Sequence, residues 1–281
     1  MIGGGIESTV IDRFSLSGRT AIVTGGSRGI GKALVIGLAQ AGADVAVLSR
    51  ESQEQGAAVV DELHSLGRTR SFSMLADVTS LAALDAAVDA AMGRWGQVDI
   101  MVANAGIGID VNAEDMTEEQ WDRVMDVNLK GVFFTAQAAA RAMIPRRQGK
   151  IIAISSLSGQ VANGNPQACY NTSKAGVNML VRCLAYEWAR FDIRVNAIAP
   201  GFVMSDMLVP YMTECPEEAY GYMVAPAAMN RIGSPDELAG AVVFLASEAS
   251  SYMTGQVMTI DGGYSLSPLE YRLRADPSGP V

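Results

Sequence analysis

Thr24-Gly25-Gly26-Ser27-Arg28-Gly29-Ile30-Gly31 stands between a β-branched apolar run at 20–24 and an amphipathic stretch at about 30–41. Its glycines keep a Gly-x3-Gly-x-Gly spacing, and each has a physical job where a strand turns into a helix. Gly25 suits a sharp exit from the strand, Gly29 a close approach of backbone to an anion, and Gly31 the packing of helix on sheet. A plain tight turn needs one glycine, not three at these offsets. The helix start offers free N–H groups, so Gly25, Ser27, Arg28, Gly29, Ile30 and Gly31 form a cradle for the pyrophosphate of a dinucleotide.

Outward from the loop, apolar runs recur at 44–49, 70–75, 98–102, 150–155, 194–198 and 257–260. Most are nearly continuous, as parallel strands buried on both faces are. Helical patterns lie between them at about 30–41, 52–66, 80–94, 118–144, 169–190 and 236–247. Thr117-Glu118-Glu119-Gln120 and Ser234-Pro235-Asp236-Glu237 fit the capping box, the second with Pro at the first helical position. The alternation predicts an α/β fold: a single Rossmann-like, doubly wound domain over 16–264, with about seven parallel strands and helices on both faces. Residues 1–15 and 265–281 read as loosely ordered extensions.

The chain has 281 residues, 21 Lys+Arg against 30 Asp+Glu, and a formal charge of −9. That balance excludes a nucleic-acid footprint and argues against docking on an anionic membrane. No apolar run approaches the roughly 18–20 residues of a membrane span. Cys169, Cys183 and Cys215 are spaced for neither a disulfide framework nor a metal site, so no metal is expected and a reducing cytoplasm is the default. His64, the single histidine, reads as a surface residue.

About 20 residues beyond Gly29, the end of the second strand carries the group that reads the adenosine ribose. An acid there accepts from the 2′-OH of NAD and repels a 2′-phosphate. Here the pair is Ser49-Arg50. Arg50 and Arg28 are placed to flank a 2′-phosphate, which favours NADP(H) over NAD(H). The adjacent Glu51 partly offsets them.

Tyr170 and Lys174 stand four apart near the start of a long helix and share a face. A phenol titrates near 10, so acid/base work near pH 7 asks for a fall of ~3 pH units, about 4 kcal/mol. An ammonium ~5 Å away at an effective dielectric of ~20 supplies about 3 kcal/mol, and an oxidised nicotinamide nearby adds the rest. Ser156, at the end of the preceding strand, is placed to hold a substrate carbonyl.

Taken together, these motifs make the chain similar to the short-chain dehydrogenase/reductase family over residues 16–264. The resemblance rests on Thr24-Gly25-x3-Gly29-x-Gly31, Asp77-Val78, Asn104-Ala105-Gly106 and Val127-Asn128-Leu129-Lys130-Gly131. It continues through Ser156, Tyr170-Asn171-Thr172-Ser173-Lys174, Pro200-Gly201 and Asp261-Gly262-Gly263. It implies a tetrad of Asn128, Ser156, Tyr170 and Lys174. Tyr170 would exchange a proton with the reacting oxygen, Ser156 would orient it, and Lys174 would hold the nicotinamide ribose and lower the tyrosine. Asn128 would steady a kinked helix and a water reaching Lys174. Asp77 and Val78 would flank the adenine, Asn104 would act as a post beside the cofactor, and Pro200, Gly201, Val203 and Ser205 would touch its nicotinamide end. Ser205 stands where the family usually has Thr.

The loop from Ser156 to Tyr170 is one residue longer than in many members. Its polar residues Ser158, Asn163, Asn165 and Gln167 are candidates for substrate hydroxyls. Residues 202–232 read as a substrate lid, cut by Pro210, Pro216 and Pro226 and walled by Met204, Met207, Met212, Met223 and Met229. The similarity leans toward reductases that interconvert sugars or polyols, of the mannitol, sorbose and xylulose type, with their ketones. The implied partners are a small alcohol or ketone and further copies of the chain, in a homotetramer or homodimer through the helices at 118–144 and 169–190. Arg141, Arg146, Arg147 and Lys150 read as a solvated helix end, or as a landing site for an acyl carrier protein. The second reading would make the chain a 3-oxoacyl-thioester reductase. A non-catalytic NADP-binding regulator is the third alternative.

Overall fold

β1 (Thr20–Thr24), buried at all five positions, pairs in parallel with β2 (Asp44–Ser49) on one side and β4 (Ile100–Ala103) on the other. The computed structural model describes residues 9–266 apart from 163–165, 207 and 215. With β3 (Phe72–Leu75), β5 (Gly149–Ile154), β6 (Ile193–Pro200) and β7 (Val257–Ile260), the strands form one parallel sheet in the order β3-β2-β1-β4-β5-β6-β7. The order reverses between β1 and β4, where an open α/β sheet binds its ligands.

Side-chain alternation builds two cores from the same strands. Ile22, Leu48, Met101, Ile151 and Val195 face α3 (Leu81–Trp95), α5 (Gly131–Met143) and α6 (Ala168–Trp188). Their neighbours Val23, Val47, Val102, Ile152 and Ile198 face α1 (Gly29–Gln40), α2 (Gln53–Ser65) and α9 (Ala239–Ala246). Burial on both faces explains why these strands read as continuous apolar runs.

The expected elements are present, and their boundaries move for identifiable reasons. β3 begins at Phe72, not 70, because Arg70 turns aside to pair with Asp44 at 2.7 Å and the Ser71 hydroxyl accepts from the Val45 N–H at 2.9 Å. β4 begins at Ile100, not 98, because Asp99 turns its carboxylate to the Thr20 N–H at 2.9 Å. β6 runs past 198 to Pro200, with the Gly201 N–H bonding Ile260 O at 2.9 Å. The helix expected over 118–144 is not continuous: α4 (Glu118–Met125) and α5 are separated by a π turn at Asp126–Lys130. That over 236–247 opens with a 3-10 turn, Pro235–Leu238. At α4 the capping box closes both ways, Gln120 N–H to Thr117 Oγ1 at 3.2 Å and Thr117 N–H to Gln120 Oε1 at 3.0 Å.

Residues 9–15, read as part of a loose extension, include a 3-10 turn at Asp12–Phe14. Arg13 donates to Glu248 O at 2.9 Å and Phe14 meets Phe244. Residues 1–8 and 267–281 lie outside the described residues, as do Asn163, Gly164, Asn165, Met207 and Cys215. Among the described residues no helix is long and apolar enough to cross a membrane.

Candidate active site

The turn from β1 into α1 uses its glycines in a different division of labour from the one expected. Gly25 and Gly29 both adopt left-handed backbone, with φ of +63° and +51°. A Cβ on Gly29 would meet only Ser205, at 3.6 Å, so its requirement is conformational. Gly31 packs on the loop and not on the sheet: a Cβ there would stand 2.0 Å from Gly25 O and 2.6 Å from Asn104 Nδ2. Asn104 bolts the ends of β1 and β4 together, donating to Thr24 O at 2.9 Å and Gly25 O at 3.1 Å. Thr24 Oγ1 returns the contact by accepting from the N–H groups of Asn104 and Ala105 at 3.0 and 3.1 Å. Arg28, the N-cap of α1, is extended and makes no capping bond, which leaves the first N–H groups of the helix turned to the cleft.

A cleft of about 550 Å³ runs along the C-terminal ends of the strands. It is lined by Gly25 and Ser27 to Gly31 of the glycine loop, by Ser49, Arg50, Asp77 and Val78, and by Asn104, Ala105 and Gly106. Further along it are Ser156, Tyr170, Lys174, Pro200, Gly201, Val203 and Ser205. A loop with two left-handed glycines before an uncapped helix start suits a dinucleotide pyrophosphate. The sequence reading missed Ser52, which also lines the cleft and caps α2 by accepting from Gln55 N–H at 3.1 Å. Its cue was Ser52-x-x-Gln55, a helix-start pattern directly after Arg50.

Neither arginine at the ribose end is isolated. Arg50 is paired with Glu51, and Arg28 lies 3.8 Å from Asp206 with both side chains largely exposed. Ser49 is turned inward and donates to Ser52 O at 2.9 Å. Burial pushes the Asp77 carboxyl up, but the Thr79 N–H and hydroxyl, both at 2.8 Å, and the charge of Arg50 bring it below its ordinary value.

At the other end, α6 presents Tyr170 and Lys174 to the cleft one turn apart. The Lys174 ammonium is buried, donates to Ile154 O at 2.9 Å, and sits 5.7 Å from the centre of the Tyr170 ring. Asn128 does not line the cleft. It is fully buried in the π turn, where Nδ2 donates to Ile107 O at 2.8 Å and Oδ1 accepts from Ile107 N–H at 2.9 Å. A third bond, from Nδ2 to Ser173 Oγ at 3.2 Å, reaches α6. The amide thus joins the loop after β4 to α6, and the expected kink is this π turn.

In the chain alone, burial dominates the electrostatics of the pair. Burial pushes the Tyr170 phenol above its ordinary value, and a hydrogen bond with Ser156, which pulls the other way, does not reverse it. The same burial holds Lys174 down to about 8. Both groups resist charge in the chain alone. For Lys174 this has a sign in stability. Between pH 8 and its unfolded value the unfolded chain binds the extra proton, so this group's contribution grows as pH rises and is lost as pH falls through 8. The urea midpoint of the wild type is therefore expected to gain on that of Lys174→Met between pH 8 and 9.5; a constant difference would contradict it.

The segment 202–232, expected as a lid, is stitched at its base. Val203 bridges Gly233, and Met204 N–H donates to Gly233 O at 2.8 Å. Arg231 grips Glu237 with two bonds of 2.7 and 2.6 Å. Within it lie α7 (Val209–Glu214) and α8 (Pro216–Ala219). The expected methionine wall is not found among the described residues: Met204 and Met229 are exposed, Met223 is buried, and neither these nor Met212 lines the cleft. Phe202 and Leu208 line it instead. Phe202 is fixed edge-on by Tyr222 and Tyr264. Of the polar loop residues, Ser158 and Gln167 line the cleft.

The basic group forms no landing patch at the cleft. Lys150 opens β5 at the end of the sheet opposite the site. Arg146 is bound to Asp99 at 3.0 Å, and Arg147 donates to Arg190 O at 2.7 Å. His64 lies on α2, exposed as expected and away from the cleft.

Known proteins place this geometry in a family. The model for the family described as enoyl-(acyl carrier protein) reductase matches residues 25–265. The chain is 40% identical to galactitol 2-dehydrogenase of Rhizobium johnstonii over 258 residues, 90% of this chain and 97% of that one. It is 41% identical over 246 residues to 3-oxoacyl-[acyl-carrier-protein] reductase of Staphylococcus aureus, covering 87% and 97%. A solved structure of gluconate 5-dehydrogenase from Burkholderia cenocepacia, in complex with NADP and tartrate, superposes with a TM-score of 0.85 at 37% identity, covering 92% of this chain and all of that one. With these similarities spanning the glycine loop, the cleft and residues 202–232, the chain belongs to the short-chain dehydrogenase/reductase family and is an alcohol dehydrogenase/carbonyl reductase of that family.

Proposed function

We propose that the protein interconverts a secondary alcohol and a ketone with NADP(H), on a sugar, polyol or similar small carbonyl compound. The observation that carries this reading is that one cleft holds both a dinucleotide cradle and the Ser156, Tyr170 and Lys174 side chains. NADP(H), when bound, supplies or accepts the hydride. The chain's own residues handle the oxygen. In reduction the Tyr170 hydroxyl gives its proton to the carbonyl oxygen as hydride reaches the carbon; in oxidation the alcohol proton returns to Tyr170. Ser156 orients that oxygen. The Lys174 ammonium is fixed by Ile154 O beside the Tyr170 ring, placed to hold the nicotinamide ribose. Asn128 acts through the backbone of the loop after β4 as a positioning residue.

The 2′-phosphate assignment rests on Arg50 without an acid at the strand end, and the relative solved with NADP supports it. Because Glu51 competes for Arg50, two substitutions are expected to act in opposite directions. Arg50→Asp should lower kcat/KM for NADPH at least tenfold and move preference toward NADH, while Glu51→Gln should improve NADPH severalfold. Steady-state kinetics with both cofactors tests this; unchanged preference in both variants would remove Arg50 from the site.

The sugar or polyol assignment draws on the relative named for galactitol and on Ser158 and Gln167 at the substrate end. A second reading, reduction of a 3-oxoacyl thioester, is favoured by the Staphylococcus aureus relative. The engagement of Arg146 and Arg147 in bonds within the chain weakens it. A homotetramer or homodimer belongs to the same proposal: α4 and α6 leave Trp121, Met179 and Tyr186 exposed. Light scattering of the purified chain should give a mass of two or four copies.

A further inference from the structure

Asp110 lies on the loop that leaves β4, and neither the dinucleotide cradle nor the proton chemistry uses it. Its carboxylate accepts from Gln167 Nε2 at 2.5 Å and from the Tyr211 hydroxyl. Beside it, Val111 N–H donates to Pro166 O at 2.9 Å. Three walls of the substrate end therefore meet at one side chain: the loop after β4, the entry to α6 and the lid helix α7. Gln167 lines the cleft three residues before Tyr170, and Leu208 lines it from the lid.

An ionised carboxylate accepts about four hydrogen bonds and donates none. Two donors are in place, and Asp110 stands behind the cleft-lining Gln167 that one of them belongs to. Among the described residues no Lys or Arg forms an ion pair with it. Its charge is therefore not neutralised by an ion pair. After burial and the opposing Ser156 bond, Asp110 is a further influence holding the Tyr170 phenol up. A substrate carboxylate or phosphate placed beside Gln167 would meet this like charge.

We infer that Asp110 is the specificity residue of this site, selecting neutral hydroxyl-rich substrates and rejecting those that carry a carboxylate or phosphate near the reacting carbon. The inference rests on the oxidoreductase reading above and narrows its substrate class. The test compares kcat/KM for a neutral hexitol and for an aldonate in the wild type, Asp110→Asn, Asp110→Glu and Tyr211→Phe. The wild type should favour the hexitol. Asp110→Asn should raise relative aldonate efficiency at least tenfold, mainly through KM. Asp110→Glu keeps the charge and should keep the discrimination, and it reports on the position if the Asn variant folds poorly. Tyr211→Phe unties the lid without removing charge, and should shift KM for both substrates together. A ratio unchanged in Asp110→Asn, or moved equally by Tyr211→Phe, overturns the role of Asp110 while leaving the oxidoreductase reading intact. A wild type inactive on hexitols, ketoses and thioesters overturns both.

Discussion

Replacing Tyr170 by Phe is expected to lower kcat/KM for carbonyl reduction by about 10³-fold, the scale of a lost general acid, while NADPH binding changes little. The ring stays to pack against Lys174, 5.7 Å away, and only the hydroxyl that bonds Ser156, the proposed proton donor, is removed. Loss in kcat with cofactor affinity retained is the signature of an interaction made at the transition state. Steady-state kinetics beside a fluorescence titration of NADPH checks both halves. Substantial activity in Tyr170→Phe would move the proton donor elsewhere. Because burial raises the Tyr170 phenol in the chain alone, the pH at which this group works has to be set in the loaded enzyme, when the oxidised nicotinamide adds positive charge.

Gly31→Ala carries the largest expected effect on folding. The added Cβ would lie 2.0 Å from Gly25 O and 2.6 Å from Asn104 Nδ2, and a backbone oxygen cannot swing away as a side chain can. Overpacking of this severity costs about 3 kcal/mol, which for a chain of this size lowers Tm by about 10 °C. The shift would also displace Gly25 and Asn104, so NADPH affinity should fall with stability. Gly93→Ala is the control. Gly93 sits in α3 with nothing within 4 Å of its Cβ direction, and the change should stabilise by about 0.5–1 kcal/mol. Thermal unfolding of the two variants separates helix propensity from the crowding at the loop. Equal Tm values would contradict the packing assigned to Gly31.

The parallel sheet and the cradle were legible in the sequence because each signal was local. The runs at 20–24 and 44–49 are apolar on both faces, and the three glycines are punctuation that few other turns need. Tyr170 and Lys174 were legible for the same reason, being one helical turn apart. Whatever depended on distant partners was not. The π turn at Asp126–Lys130 follows from a bond between Asn128 and Ile107, which are 21 positions apart. The methionine wall of the lid failed because residue type alone cannot say which way a short helix turns; Phe202 and Leu208 face the cleft. Asp110 escaped notice because its partners, Gln167 at the entry to α6 and Tyr211 on α7, are brought to it only by the fold. The rise of the Tyr170 phenol in the chain alone was not legible, because it comes from burial, which depends on what the fold packs around the ring.

The most direct test is a steady-state panel on the purified wild type: hexitol oxidation with NADP and NAD, ketose reduction with NADPH and NADH, and reduction of a 3-oxoacyl thioester. Turnover of the hexitol and ketose with NADP(H), at least tenfold more efficient than with NAD(H) and than the thioester with either cofactor, is the expected result. Faster reduction of the thioester, or NADPH binding with no carbonyl reduced, would contradict the account.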